Sequence, residues 1–205
     1  MKTIIRKETP SDYRHVENLV RESFWNVYRP GCNEHYVLHC YRSLPDFVGE
    51  LSLVLELDGC VIGHIMYSHA SIQCDDGSTK PILIFGPVAI APEYQKRGFG
   101  SQLINDSLEK ARNLGCGAVA ITGNPRYYHR FGFRDARSMG IYYGDIPRSK
   151  ETPFFMIKEL IPGYLAGIVG TYTDPPGYLV PEDEVEAFDA AFPPKEKLKL
   201  PGQLV

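Results

Sequence analysis

The sequence predicts an α/β protein, and three observations carry that prediction. A capped amphipathic helix follows a short first strand. Alternating leucines then open a set of three antiparallel strands, after which helix and strand patterns alternate as far as Leu160. The chain has 205 residues, 43% hydrophobic and 23% charged, with a net charge of −3. Such a composition suits one globular domain with a short extension, long enough to bury a core without staples. The charge balance gives no reason to expect nucleic acid as a partner. No apolar run reaches membrane-spanning length, and the stretch from Met1 to Lys7 is too polar for a signal peptide. Cys32, Cys40, Cys60, Cys74 and Cys116 are odd in number and form no C-x-x-C, which fits a reducing cytoplasm.

Residues 3–8 fit a first strand. Thr9-Pro10-Ser11-Asp12 opens a helix as a cap with proline in the first turn, and Tyr13, Val16, Leu19, Val20 and Phe24 follow at helical spacing. A second helix after Pro30-Gly31 is expected to bury Val37, Cys40, Tyr41 and Leu44. Leu51, Leu53, Leu55 and Leu57 alternate with Ser52 and Glu56 as a strand, Asp58-Gly59 signals a hairpin, and Val61 to Ile72 is the return strand. Pro81 to Ala91 reads as the third strand, with a bulge or splay at Gly86-Pro87 because proline has no ladder donor. A helix from Gly98 to Leu114 turns Leu103, Ile104, Ser107, Leu108 and Ala111 inward and stops at Gly115. Ala118 to Thr122 is a buried strand, Tyr127 to Phe131 one or two helical turns, and Phe154 to Leu160 a late strand.

Beyond Asp174 the composition changes. Residues 174–205 hold seven acids and three lysines, a net charge of −4, which leaves +1 on residues 1–173. Two segments are therefore expected: a domain over 1–173, and a proline-rich acidic extension over 174–205 packed on it, with a short amphipathic helix in Glu182 to Phe192.

The informative segment is Val88 to Ser101, where a hydrophobic strand runs into a glycine-containing loop that opens a helix. Unpaired N–H groups and the helix dipole favour an anion there. Gly98 and Gly100 admit a phosphate close to the backbone, and Lys96 and Arg97 add positive charge. The Walker pattern is absent, and Leu103 stands where a dinucleotide fingerprint needs its third glycine. A tight strand-to-helix turn would give the same local pattern.

Gln95-Lys96-Arg97-Gly98-Phe99-Gly100, preceded by Val-Ala-Ile-Ala-Pro, resembles the Q/R-x-x-G-x-G/A motif of the GNAT acyltransferases. Tyr127-Tyr128-His129-Arg130-Phe131-Gly132-Phe133 resembles that family's F-Y-x-x-x-G-F element, in the same order and spacing. The resemblance covers roughly residues 3–160, and the ending Phe155 to Leu160 with Pro162-Gly163 is similar to a bacterial subgroup of predicted acetyltransferases. It implies a mixed central sheet flanked by helices, antiparallel in its N-terminal part, with a parallel splayed pair at the cofactor site.

The implied activity is acetyl transfer from acetyl-coenzyme A to a primary amine of a small molecule or peptide. Val88, Ala89 and Ile90 would meet the pantetheine arm, Gln95, Lys96, Arg97, Gly98, Phe99, Gly100 and Ser101 the pyrophosphate, and Asn124 the arm again. The Val88 N–H would steady the oxyanion and Tyr128 would protonate the leaving thiolate, with a packed aromatic as the rival role for Tyr128. The third strand lacks the glutamate many family members carry, so the base stays open among Glu34, His35 and a water chain. Acceptor groups are expected on loops 25–50 and 136–153, including Tyr142, Tyr143 and Asp145. A homodimer is expected from family habit, and no metal. The rival function is a non-catalytic acyl-coenzyme A sensor or interaction module. A nucleotide-binding protein using the same loop is a third.

Overall fold

The computed structural model describes residues 2–203. Positions 1, 204 and 205, at the outer ends of the two expected segments, lie outside the described residues. The strands are β1 (Thr3–Lys7), β2 (Leu53–Leu57), β3 (Cys60–Cys74), β4 (Thr79–Ile90), β5 (Ala118–Thr122), β6 (Arg134–Asp135), β7 (Ile141–Tyr143), β8 (Phe155–Glu159) and β9 (Gly170–Tyr172). The helices are α1 (Tyr13–Phe24), α2 (Glu34–Tyr41), α3 (Phe99–Asn113), α4 (Pro125–Tyr128) and α5 (Glu182–Asp189). The sheet is mixed, in the order β1-β2-β3-β4-β5-β8-β6, with β9 attached to β3 and β7 to β9. Among the described residues no helix is long and apolar enough to cross a membrane.

The chain forms two compact units. The first contains Met1–Met66, Pro87–Ser107 and Pro176–Val205; the second contains Tyr67–Gly86 and Leu108–Pro175. In the first, β1 and β3 pair antiparallel on either side of β2. Asp58 and Gly59 both take positive φ, +49° and +88°, as a tight hairpin demands. The Asp12 carboxylate accepts the Thr9 N–H at 2.8 Å and the Thr9 hydroxyl at 2.7 Å, fixing the entry to α1. Val16, Leu19 and Val20 of α1 and Val37, Leu38 and Tyr41 of α2 pack with Val54, Met66 and Ala89. Leu38 takes the inward place expected of Cys40, which is half-buried. Gly49–Leu51 is a 3-10 turn, so β2 starts at Leu53, later than the leucine alternation suggests. Leu53, Val54 and Leu55 are all buried, so both faces of β2 are covered.

An ionic cluster lies within this unit. Arg42 donates to Glu8 at 2.7 Å and Glu17 at 2.6 Å, and the Ser52 hydroxyl donates to Glu8 at 2.8 Å. Burial pushes the Glu8 carboxyl up, but His64 and Arg42 outweigh it and hold it down to about 2. His64 is wholly buried and His69 exposed; their odd spacing puts them on opposite faces of the strand.

In the second unit β4 and β5 run parallel, with Leu83 beside Val119 and Ile84 beside Ala120. Just beyond this register come Gly86, at φ +153°, and Pro87. β5 pairs antiparallel with β8 along its whole length. β7 and β9 have no counterpart in the sequence reading. They run parallel to each other, and β9 pairs antiparallel with the end of β3. Three residues carry too little alternation to register as a strand. The expected acceptor loop 136–153 therefore contains a 3-10 turn, Ala136–Met139, and the strand β7.

Candidate active site

The cofactor-loop residues expected from sequence all fall in the first unit, in one continuous stretch. β4 delivers Val88, half-buried, and then Ala89 and Ile90, both buried. Pro92–Tyr94 makes a single 3-10 turn, and the chain reverses through Lys96 at φ +59° and Gly98 at φ +91° before α3 begins at Phe99. A Cβ on Gly98 would meet no atom within 4 Å, so the backbone conformation, not crowding, calls for glycine. The first intrahelical bond is Gln102 N–H to Gly98 O at 3.1 Å. Among the described residues, the amides of Lys96, Arg97, Gly98, Phe99, Gly100 and Ser101 have no backbone acceptor. They are the donors that a helix start leaves unpaired, and the dipole of the 15-residue α3 adds positive potential. Lys96 and Arg97 are exposed, with the Arg97 guanidinium 5.5 Å from the Tyr94 ring centroid and 5.7 Å from that of Phe99.

Two side chains pin this loop at one atom. Gln95 Nε2 donates to the Ile90 carbonyl at 2.9 Å, and Ser23 Oγ of α1 lies 3.0 Å from the same oxygen. The Gln95 side chain therefore closes the loop on itself, and its backbone N–H is taken by the Pro92 carbonyl at 3.3 Å, so the amides left for a ligand begin at Lys96. Ser23 carries no motif. Its only hint was a hydroxyl one position before Phe24, on the rim of the buried face of α1.

The second unit holds Asn124 and Tyr128. Asn124 Oδ1 accepts the Arg126 N–H at 3.0 Å and caps α4, so the turn role accounts for its oxygen. Tyr128 is 8% exposed. Its ring lies 5.0 Å from Tyr127, 5.9 Å from Phe85 and 6.1 Å from Phe133, all edge-on. Gly123 makes room for it: a Cβ there would stand 2.6 Å from the Tyr128 ring. Tyr127 and Phe131 share a face, 5.5 Å apart, and His129 is exposed as expected.

The expected acceptor residues separate. His35 has no exposed surface, which is a correction: its ring lies between Phe188 and Phe192 at 5.4 and 5.3 Å, with Nε2 3.1 Å from Asp189. Burial lowers its pKa to about 4 against the pull of Asp189, so the imidazole is neutral near pH 7. Sequence offered it as an acceptor-side base because α5, which covers it, comes almost 150 residues later. Glu34 is half-buried at the start of α2, and burial raises its pKa. Tyr143 is also structural: its hydroxyl donates to Asp174, and its ring packs on Phe154 and Phe155 at 5.2 Å.

This loop, sheet order and pair of motifs have counterparts in known proteins. The model of the Acetyltransferase (GNAT) family matches residues 18–133, more than half of the chain and inclusive of both motifs. A relative from Escherichia coli (strain K12), the uncharacterized N-acetyltransferase YjhQ, is 38% identical over 84 residues; the match spans 40% of this chain and 45% of that relative. The chain thus spans under half the length of this curated relative. Among solved structures, a GNAT family N-acetyltransferase (YhbS) from Escherichia coli in complex with CoA superposes at TM-score 0.74 and 26% identity, covering 87% of this chain and 92% of that one. A GNAT family acetyltransferase from Brucella melitensis in complex with acetyl-CoA superposes at TM-score 0.69 and 26% identity, covering 87% and 99%. With the mixed sheet, the glycine loop and the aromatic element in the order this family requires, the chain belongs to the GNAT acetyltransferase family.

Proposed function

We propose that this chain is an N-acetyltransferase that moves the acetyl group of acetyl-coenzyme A to a primary amine of a small molecule or peptide. The observation that carries the reading is the row of unpaired amides from Lys96 to Ser101 at the start of α3, held open by Gly98. That row suits a diphosphate, and the solved relatives with CoA and acetyl-CoA support the ligand.

In this reading the neutral amine attacks the thioester carbonyl directly. The Val88 N–H donates to the developing oxyanion, and Ala89 and Ile90 offer backbone to the pantetheine arm, with Nδ2 of Asn124 as a further donor. Tyr128 gives its phenolic proton to the departing thiolate. β4 carries no carboxylate, so the base comes from elsewhere. Glu34, half-buried with a raised pKa, is the acceptor-side candidate that retains access to solvent.

The test follows free thiol release from acetyl-coenzyme A against a panel of primary amines. Turnover that drops about a hundredfold in Tyr128→Phe, with acetyl-coenzyme A affinity unchanged, supports the mechanism. The missing β4 carboxylate favours one rival, a non-catalytic acyl-coenzyme A sensor. Tight binding with no thiol release from any amine would establish that rival instead.

A further inference from the structure

The C-terminal segment from Pro176 onward lies in the first unit and returns to α1, α2 and the loop that joins them. Its anchor is Asp189 at the end of α5. Arg21 of α1 is 1% exposed and donates to Asp189 through Nε at 2.5 Å and Nη2 at 3.0 Å. The other nearby acid is Glu22, 3.6 Å from Nη1. His35 of α2 reaches the same carboxylate. One carboxylate from the C-terminal segment thus accepts from Arg21 and lies 3.1 Å from His35 Nε2, and a guanidinium so deeply enclosed requires it.

Past Asp189 the segment runs along loop 25–33. Trp25 Nε1 donates to the Glu196 carbonyl at 2.9 Å, and Asn26 Nδ2 donates to it at 3.0 Å. The Leu198 N–H donates back to Asn26 Oδ1 at 3.0 Å, and Gln203 Nε2 to the Asn26 carbonyl at 3.0 Å. Asn26 holds φ +60°, a conformation that a residue with a side chain keeps only when its surroundings insist. Within the loop, Asn26 exchanges two bonds with Gly31: its N–H donates to the Gly31 carbonyl at 2.9 Å, and its Oδ1 accepts the Gly31 N–H at 2.8 Å. The remainder come from the C-terminal segment. The loop follows Ser23, which lies in the last turn of α1 and contacts the Ile90 carbonyl beside the proposed cofactor loop; it carries the exposed Val27 and Tyr28 and leads into Glu34, the first residue of α2.

We propose that Asp189 is a positioning residue for the acceptor side of the site: through Arg21 it seats the C-terminal segment, which in turn sets the shape of loop 25–33 that receives the amine. The proposal rests on the acetyl-transfer reading for its catalytic consequence, but not for the loop itself. Asp189 touches no reacting atom. Its effect therefore falls on acceptor affinity and spares the Lys96–Ser101 amides.

The test uses the full chain. Trp25 is the single tryptophan, with the Arg21 guanidinium 4.2 Å from its ring centroid, so its emission reports the seat directly. In Asp189→Asn, hydrogen exchange over 25–33 is expected to quicken about tenfold while α3 and β8 stay unchanged. Trp25 emission should shift to the red in the same variant. With the best amine of the panel, KM should rise about fivefold with kcat and acetyl-coenzyme A affinity within about twofold. Asp189→Glu, which restores the charge, should recover part of each change. Asp75→Asn cuts the Arg148 pair in the second unit and should alter none of them.

An unchanged loop in Asp189→Asn, or quickening spread evenly over the chain, overturns the proposal, as does a fall in kcat with KM unmoved. Should Asp189→Asn yield no folded protein, Glu182→Gln removes only the Arg29 pair and should loosen 25–33 about twofold; no change there also overturns it. If the unmodified chain turns over no amine, acetyl transfer fails, and the exchange experiment still decides whether Asp189 seats the loop.

Discussion

The loop that leaves β4 is tied to the Ile90 carbonyl by Gln95, and Ser23, in the last turn of α1 before the loop to α2, contacts the same oxygen; the two loops are built in opposite ways. The first is made of backbone: positive φ at Lys96 and Gly98, then a row of amides with no backbone acceptor among the described residues. The second is made of side-chain ties to a distant segment, with Asn26 bonded to Glu196, Leu198 and Gln203. In the proposed reading the first holds the diphosphate of the cofactor. The second can change with its partner segment without disturbing the first. The difference teaches that, in the proposed reading, the donor side can stay fixed while the acceptor side changes.

The largest expected effect breaks the second loop at its anchor. Asp189→Ala leaves Arg21 buried without its carboxylate and should cost about 3–5 kcal/mol, read as a lower denaturant midpoint at an unchanged m-value. A pH titration sharpens the same point. His35 has a folded pKa of about 4 against an ordinary 6.5, so between these values the unfolded chain binds the extra proton. Its contribution is complete above pH 6.5 and is lost as the pH falls toward 4, by up to about 3 kcal/mol. Urea melts across that window should show the loss, and His35→Phe should flatten it.

The first loop should respond differently. Gly98→Ala forces a side-chain-bearing residue to φ +91°, about 1–2 kcal/mol of strain, and should weaken acetyl-coenzyme A binding about tenfold by calorimetry with little loss of stability. Arg97→Ala removes one exposed charge beside the amides and should weaken binding about two- to fivefold, an effect that vanishes at high salt. A Gly98 variant that unfolded the chain, or an Asp189 variant that lost acetyl-coenzyme A affinity, would erase the distinction between the two loops.

Legibility in the sequence follows the same division. The Thr9 cap, the Asp58-Gly59 hairpin and the inward face of α3 were readable because their signals lie within a few residues of each other. Helix α2 was placed, and Val37 and Tyr41 face inward as read, but one residue of that face was misassigned: Leu38 is wholly buried and Cys40 is not. The short strands β7 and β9 were missed because three residues in an irregular stretch have no period. His35 was offered as an acceptor-side base but lies enclosed, since nothing near it in sequence announces Phe188 and Phe192. Arg21 offered a faint clue, a charge next to Val20 on the buried face of α1, but no means of naming its partner.

By itself the sequence determined the local conformations: where helices begin, where glycine must take positive φ, and hence the unpaired amides at the start of α3. These follow from steric limits and backbone hydrogen bonding among near neighbours. Only the tertiary structure decided that Asp189, 168 residues from Arg21, would satisfy it, and that the chain end would shape loop 25–33. Such pairings depend on which apolar faces are buried together, and that sum over the whole chain leaves no mark at either partner's position.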